Sequence, residues 1–477
     1  MTRIAAQRAG EPALLIVSIL AALVAIPAHA QLAFTAGDLV VSVEGDGSNT
    51  GTYGDNQAAP LTLDQFSVNG TTSATAAGSL MLPQTTVGNQ SAISGEYGSS
   101  SEGGLQLSGN GEYLTIMGYG VNANTFNTGG AAVYGTTALA QSQSSQVARV
   151  VALISADGSV DTSTAITDVF NGNNPRSVYT TDGTSFYVSG QGTSGDNTGG
   201  VFYATRGSST ATSITGNDAG TNASQDTRFV TAYNGRLYVS VDSKTGSTNR
   251  DYIGTLGAAG SLPTSLANGG AGPTQLAGFG ASSGKGGVTI ANGDGNGLNT
   301  GQSINLSPEN YFFANATTLY VADSGAPKNT AGSTSTVGDG GLQKWTFNGS
   351  SWVLDYTLAS GLNLVSNVTN TTGTSGLQGL TGKVVGSTVQ LFATNYTLAD
   401  LDSTFLYGIT DSLAATAASQ VTGESFTELA AAPADSNFKG VSFAPTPAVP
   451  ELSTVWMAVS GLGFFGLWAR RKSAEPA

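Results

Sequence analysis

The chain is 477 residues long, has no cysteine and one histidine, and carries 17 basic against 31 acidic residues, for a net charge of −14. Disulfides and a thiol nucleophile are excluded. The one histidine, His29, lies in a segment that we expect to be removed, so imidazole catalysis and the usual zinc ligands are excluded as well. Because an acidic surface repels phosphates, we expect no nucleic acid partner, whereas cations and neutral glycans remain compatible with it.

A secretory signal peptide is predicted for residues 1–30. It has a basic start, an apolar run and a small-residue cleavage site, in that order: Arg3 and Arg8, Ala13 to Ile26, and Ala28-His29-Ala30. This is the pattern that a signal peptidase recognises, so the mature chain should begin at Gln31. The alternative is an N-terminal membrane anchor, but the apolar run is short for one.

Short apolar strands recur in pairs along the mature chain. The clearest pair is residues 226–242, where Asn234-Gly235 is a strong hairpin signal because both turn residues must take positive φ. Related pairs share its spacing, in which the first strand leads the second by about eight positions, and they occupy residues 105–119, 177–190, 311–324 and, in a stretched form, 379–395. We interpret the chain as an array of these hairpins.

The two ends of the array complement each other. Residues 37–43 match a second strand with no first strand before it, and Lys439 to Phe443 match a first strand with no second strand after it. Each hairpin is also followed by a third strand and usually by a fourth. These features predict an all-β fold for residues 31–444: a β-propeller of six four-stranded blades whose C-terminal strand closes the first blade and removes the exposed edges. A sandwich or a parallel β-helix is the alternative.

Stretches rich in Gly, Asn and Ser separate the strands, and we expect them to be loops on the faces of the disc, because they offer little apolar surface to bury. These stretches are residues 45–56, 88–103, 191–200, 268–307 and 326–340.

One of these loops holds a candidate calcium site. Asn292, Asp294 and Asn296 alternate with glycines, which would direct their oxygen atoms toward one point. Ser303 stands at the twelfth position, where an EF-hand has glutamate, so a full EF-hand is excluded. A polar turn without metal is the alternative. Calcium is therefore the only cofactor that the sequence suggests.

Three acids follow the apolar cores of predicted second strands: Glu44, Asp242 and Asp323. In a closed ring they would gather around one mouth of the channel, where carboxylates bind a cation or, if burial raises a pKa, act as a general base. Solvated acids at strand ends are the alternative. Four tyrosines are candidates for stacking on sugars, with core packing as the alternative: Tyr119, Tyr187, Tyr238 and Tyr320. No residue is assigned a catalytic role.

The C-terminal end is predicted to anchor the protein in a membrane. A Pro-rich tether at residues 445–451 precedes an uncharged apolar segment at 452–469, which as a helix is just long enough to cross a hydrocarbon core of about 30 Å. Residues 470–477 form a basic tail that should remain in the cytoplasm, leaving the preceding domain outside. Its charges adjoining the membrane are Arg470, Arg471 and Lys472. A buried helix is the alternative.

The motif Val449-Pro450-Glu451, followed by an apolar span and a basic cluster, resembles the PEP-CTERM sorting signal of bacterial exported proteins. The resemblance implies an exosortase-type sorting enzyme as a partner, cleavage near the Pro-Glu pair, and association with extracellular polysaccharide or biofilm. Leu452 stands where the family has a second proline, and a retained transmembrane anchor is the alternative.

Together these features favour an exported, surface-anchored and non-enzymatic propeller that binds or scaffolds extracellular polysaccharide. A calcium-dependent propeller hydrolase or lyase that uses Asp and Glu is the second hypothesis. An adhesin that binds partner proteins is the third.

Overall fold

The computed structural model describes residues 32–216, 226–243, 250–279, 287–289, 303–325, 340–366 and 369–447. The described residues belong to one compact unit, which begins at Leu32. The predicted signal peptide, sorting motif, apolar segment and basic tail lie outside the described residues, and so does the candidate calcium loop. Within the described ranges, no helix is both long and apolar enough to cross a membrane.

The fold is all-β, and the first strands of the chain belong to one large antiparallel sheet. Strands β1 to β8 of this sheet are, in order, Leu39–Gly45, Ala58–Asn69, Ser73–Met81, Ser94–Glu96, Gln106–Leu107, Tyr113–Tyr119, Arg149–Ser155 and Val160–Ile166. The order within it is β1-β2-β4-β6-β7-β8, with β3 paired to β2 and β5 paired to β6. The helix α1 (Ala123–Tyr134) lies between β6 and β7 in the chain.

Four further sheets have four antiparallel strands each. The first holds β9 (Pro175–Tyr179), β10 (Ser185–Gly190), β11 (Gly200–Thr205) and β12 (Thr212–Ser213); the second holds β13 (Thr227–Tyr233), β14 (Arg236–Ser243), β15 (Arg250–Leu256) and β16 (Thr274–Gln275). After a two-stranded ribbon of β17 (Gly287–Thr289) and β18 (Ser303–Asn305), the third holds β19 (Pro308–Asn315), β20 (Thr318–Asp323), β21 (Gly341–Phe347) and β22 (Trp352–Leu358). The fourth holds β23 (Thr374–Val385), β24 (Thr388–Thr397), β25 (Phe405–Ser412) and β26 (Thr427–Ala431).

The last strand, β27 (Ser436–Phe443), returns to the start of the domain and pairs antiparallel with β1. Leu39 lies opposite Phe443 and Val41 lies opposite Val441, so the predicted pairing of the two ends is confirmed. Around a common axis, β5 contacts β9, followed in turn by β13, β19, β23 and β27, and β27 contacts β5. The four-stranded sheets are therefore blades of a closed β-propeller.

The predicted hairpins are confirmed at their turns. Asn234 and Gly235 connect β13 to β14 with φ of 48° and 70°, the doubly positive combination that matches the twist of the flanking strands. Gly183 connects β9 to β10 and Gly111 connects β5 to β6, again with positive φ. Turn residues in the sequence thus fix the position at which each first strand folds back on its second.

Neighbouring sheets pack face to face through apolar side chains. Leu237 and Val239 of β14 share one core with Leu319 and Val321 of β20 in the next sheet. Strands inside the sheets, such as β7 and β20, are buried over almost their whole length, as is typical of strands with two covered faces, whereas the edge strands β3 and β26 are more exposed.

Residues 88–103 differ from the prediction of a surface loop. They contain β4, which pairs with β2 on one side and with β6 on the other, so the segment runs through the interior of the large sheet. Glu96 and Glu102 are consequently only 4% and 2% exposed. The polar backbone groups of this segment can be buried because the strands on both sides of β4 supply hydrogen-bond partners.

Candidate functional site

Charged side chains close the axis of the ring. Arg176 of β9, Arg228 of β13 and Glu309 of β19 meet there with Gln378 of β23 and Lys439 of β27. They line a cavity of about 30 Å³, which has room for water but not for an organic ligand. We call this layer the ionic plug.

Arg228 is paired with three carboxylates. Its Nη2 lies 3.0 Å from Asp242 Oδ2, its Nη1 lies 3.6 Å from Glu309 Oε2, and its Nε lies 3.8 Å from Asp226 Oδ1. Burial lowers the pKa of Arg228, but the charges of these carboxylates, Glu309 first, outweigh it and raise the pKa above its ordinary value. Asp226 also forms an ion pair with Arg176. The charges of the plug therefore compensate one another inside the protein.

Two of the predicted acids, Asp242 and Asp323, are joined through Ser307. The Ser307 hydroxyl donates to Asp242 Oδ2 at 2.9 Å, and the Ser307 backbone N–H donates to Asp323 Oδ2 at 2.8 Å. Asp323 Oδ2 also accepts a hydrogen bond from Gln343 Nε2 at 2.9 Å. Both acids are completely buried, so the expectation that strand-end acids are solvated is wrong for them.

The third predicted acid, Glu44, lies in a separate group with Glu96 and Glu102. Lys439 Nζ is 3.7 Å from Glu44 Oε2. Burial raises the pKa of Glu44 to about 8 although the charge of Lys439 opposes it. Burial, reinforced by the negative charge of Glu102, raises the pKa of Glu96 to about 9. At neutral pH these two carboxyl groups therefore retain their protons.

Glu102 is fixed by neutral and charged neighbours. Its Oε1 accepts hydrogen bonds from the Tyr119 hydroxyl and from Asn174 Nδ2, the latter at 2.6 Å. The Arg149 guanidinium lies 4.6 Å from the centre of the Tyr119 ring and donates to the Phe170 carbonyl at 2.9 Å. Burial raises the pKa of Glu102. This acid therefore links β6 to the start of β9, and it also borders the small cavity of the ionic plug.

Directly beyond the ionic plug, the same first strands form a larger and open cavity of about 300 Å³. We call it the axial bowl. Its aromatic walls come from β9, β13, β19 and β27 and include Tyr179, Phe229, Tyr233, Tyr311, Phe313 and Phe443. Thr231, Thr381 and Ser442 also line the bowl. No charged residue is among the described residues that line the bowl.

The aromatic rings of the bowl are held in defined orientations. Tyr233 and Phe313 stack with ring centres 4.5 Å apart and an interplanar angle of 12°. Phe229 and Tyr311 meet edge to face at 5.8 Å. Tyr311 and Phe229 are nearly buried, whereas Tyr233 and Phe313 are half-buried and present part of their surface to the cavity. A charge lies close to the rim, where Lys383 Nζ is 5.2 Å from the centre of the Phe443 ring.

The tyrosines proposed from sequence are not those of the bowl. Tyr119 and Tyr320 are completely buried and Tyr187 is 4% exposed, so all three serve packing. Tyr238 is half-buried and packs 4.8 Å from Phe313. The bowl instead uses aromatics on first strands. In β13 and β19 the signal that would have found them is an aromatic residue directly after a polar strand start, Phe229 after Arg228 and Tyr311 after Asn310.

A second buried charge cluster, also missed from sequence, lies between two blades. Lys344 Nζ of β21 is 2.8 Å from Asp411 Oδ2 of β25. The Tyr356 hydroxyl donates to Asp411 Oδ1 at 2.6 Å, and the Tyr320 hydroxyl donates to Oδ2. Burial, with help from Asp411, raises the pKa of nearby Glu424 to about 8. Because these contacts link β21 and β22 to β25, we assign the cluster a structural role.

The candidate metal site has no counterpart in the described part of the chain. There, no group of three or more His, Cys, Asp or Glu side chains is arranged to hold a metal ion. The predicted calcium ligands Asn292, Asp294 and Asn296 lie outside the described residues, so calcium binding stays a prediction.

No protein-family model matches the sequence, and no curated protein sequence matches it. Among solved structures, the chain is similar to a hypothetical selenium-binding protein of Sulfolobus tokodaii, at 7% identity and a TM-score of 0.40 over 86% of this chain and 94% of that one. It is also similar to TolB of Acinetobacter baumannii, at 8% identity and a TM-score of 0.34 over 84% of this chain and 67% of that one. A third similar structure is an oligogalacturonate lyase of Vibrio parahaemolyticus, at 6% identity and a TM-score of 0.34 over 78% of this chain and 91% of that one. Similarities this weak carry no conclusion about activity.

Proposed function

We propose that this chain is an exported, surface-anchored and non-enzymatic β-propeller that binds or scaffolds extracellular polysaccharide. We further propose that its blades number six. On that count the large sheet contains two blades, β27-β1-β2-β3 and β5-β6-β7-β8, which β4 bridges. The sequence of contacts between first strands around the axis supports this count.

The placement of the acids carries the non-enzymatic part of the proposal. Glycan-cleaving chemistry with Asp and Glu needs carboxyl groups that face the substrate. Here Glu44, Asp242 and Asp323 are completely buried, and none of them lines the axial bowl. Burial raises the pKa of Tyr179 and Tyr311 in the bowl, so their hydroxyls keep their protons at neutral pH. The described lining of the bowl therefore contains no carboxyl group for glycan-cleaving acid–base chemistry.

The sequence supports the proposed location. The signal peptide at residues 1–30 would direct export, and the Val449-Pro450-Glu451 motif with the basic cluster at 470–472 would direct sorting by an exosortase-type enzyme. The apolar segment at 452–469 would hold the protein at the membrane before, or in place of, cleavage. Extracellular polysaccharide is the partner within reach of a domain displayed in this way.

Fractionation and pull-down test the proposal. The full chain, expressed in a bacterium that has an exosortase, should appear at the cell surface or in the matrix and should retain extracellular polysaccharide without shortening it. A Glu451→Gln variant should stay with the membrane if the motif is cleaved. Cytoplasmic accumulation, or no retention of polysaccharide, would refute the proposal. Turnover of the polysaccharide that a chelator abolishes would favour the calcium-dependent enzyme instead.

A further inference from the structure

We propose that the axial bowl is the ligand site of this propeller and that it takes the terminal sugar of a neutral polysaccharide, end on. The inference rests on the proposed function and adds the location, the charge and the part of the polymer that is bound. It follows from the composition, the shape and the floor of the bowl.

Charge selects a neutral ligand. An ionised sugar that enters the bowl would lose water without gaining a charged partner among the described residues that line it, since the nearby Lys383 ammonium lies at the rim against the Phe443 ring. The chain as a whole carries a charge of −14, so anionic polysaccharides are repelled before they arrive. A neutral sugar has no ionic charge to desolvate and is not repelled by the negative charge of the protein.

The lining matches a ring that is apolar on its faces and polar at its edge. Tyr233 and Phe313 stack on each other and are partly exposed, and the aromatic surface that they leave uncovered can contact the C–H face of a pyranose. Thr231, Thr381 and Ser442 are hydroxyl-bearing residues that line the same cavity, and hydroxyl groups of this kind can exchange hydrogen bonds with a sugar. An aliphatic or purely aromatic molecule in the bowl would leave these hydroxyl groups without a hydrogen-bond partner on the ligand.

The floor of the bowl determines which part of the polymer enters. Phe229 borders both the bowl and the ionic plug, and beyond it the buried pairs of Arg228 fill the axis. A polymer cannot thread through this layer. The volume of about 300 Å³ is at the lower end for ligand pockets and suits one or two sugar rings. The bowl is therefore a blind site for a chain end.

Binding of the full chain to extracellular polysaccharide separated into neutral and anionic fractions tests the inference. The neutral fraction should bind, and partial depolymerisation should raise the amount of protein bound per mass of polysaccharide, because each cut creates a new end. Phe313→Ala and Tyr233→Ala should each weaken binding about tenfold, the effect of losing one aromatic stacking partner. The matched controls, Phe347→Ala and Tyr203→Ala, remove half-buried aromatics that do not line the bowl and should leave binding unchanged.

Thr231→Trp provides a second route, since it fills the bowl without removing an aromatic ring. It should abolish binding while the thermal midpoint stays close to that of the unsubstituted chain. If polysaccharide binds but Phe313→Ala equals Phe347→Ala, or if only the anionic fraction binds, the axial site is refuted and the proposed function stands. If neither fraction binds, the proposed function itself fails. Capacity that does not change on depolymerisation refutes end-on binding.

Discussion

Alkaline pH should destabilise this protein, and Glu96→Gln should remove part of that effect. Glu96 is 4% exposed on β4, and one of its carboxyl oxygens accepts a hydrogen bond from the Ala140 backbone N–H. Glutamine keeps an oxygen for that bond and cannot ionise. The substitution therefore imitates the protonated acid that the folded protein contains at neutral pH.

The sign and size follow from the pKa. In the unfolded chain Glu96 loses its proton near its ordinary pKa of 4.5, whereas burial raises the pKa to about 9 in the folded protein. Between these two pH values, folding takes up a proton. The contribution of Glu96 to the free energy of unfolding therefore has its full value below pH 4.5 and decreases as the pH rises toward 9. One such group contributes a slope of about 1.4 kcal/mol per pH unit, or about 3 kcal/mol between pH 6 and pH 8.

Equilibrium unfolding in urea at pH 6, 7 and 8 measures this slope. The pKa of Glu44 is also raised, to about 8, so part of the pH dependence of stability will remain in the Glu96→Gln variant. We expect Glu96→Gln to lose less stability than the unsubstituted protein over this range, by up to about 3 kcal/mol. Glu428→Gln is the matched control, because Glu428 is exposed on β26 and should leave the slope as it is. An equal slope in Glu96→Gln and the unsubstituted protein would refute the reasoning.

Three further predictions concern the closure and the buried polar groups. Gly440→Ala in β27 would place a Cβ against the backbone of the segment before β5 and should cost about 1–3 kcal/mol of unfolding free energy, whereas Gly423→Ala, with open space around it, should cost nearly nothing. Lys344→Met leaves the Asp411 carboxylate buried without its cation and should lower the free energy of unfolding by about 3–5 kcal/mol at pH 7, as measured by urea unfolding. A decrease below about 1 kcal/mol would contradict the structural role of the pair. Ser307→Ala removes the hydroxyl donor of a buried aspartate and should cost about 1–3 kcal/mol, and an unchanged urea midpoint would show that the aspartate does not depend on it.

The parts of the fold that were predictable depend on local chemistry. The position of the β13–β14 turn follows from Asn234-Gly235, because few other pairs accept positive φ at both residues. Closure by β27 was predictable because the two ends of the domain are visible in the sequence as incomplete copies of the repeat. One end has a second strand without a first, and the other has a first strand without a second. The pairing of Val41 with Val441 joins them.

The acids of the interior were not predictable, because they depend on contacts between distant parts of the chain. Residues 88–103 have the composition of a loop, and only the strands on both sides of β4 make their burial possible. Asp411 stands near the end of β25, where an acid is commonly solvated, and its charge is instead compensated by Lys344 in the neighbouring blade. A helix was missed too: α1 begins at the Asn122 cap, where the side chain accepts from the Thr125 N–H, but its interior contains glycines that disfavour a helix.

The layers of side chains along the axis follow from a pattern in the sequence of the first strands. In β13 the charged Arg228 is followed by Phe229, and in β19 Glu309 is followed two positions later by Tyr311. In each of these strands the earlier residue belongs to the ionic plug and the later one to the axial bowl. Because the first strands run along the axis in the same sense, position in the strand becomes depth in the channel. A change from charged to aromatic residues, repeated around the ring, therefore yields a sealed layer beneath an uncharged cavity.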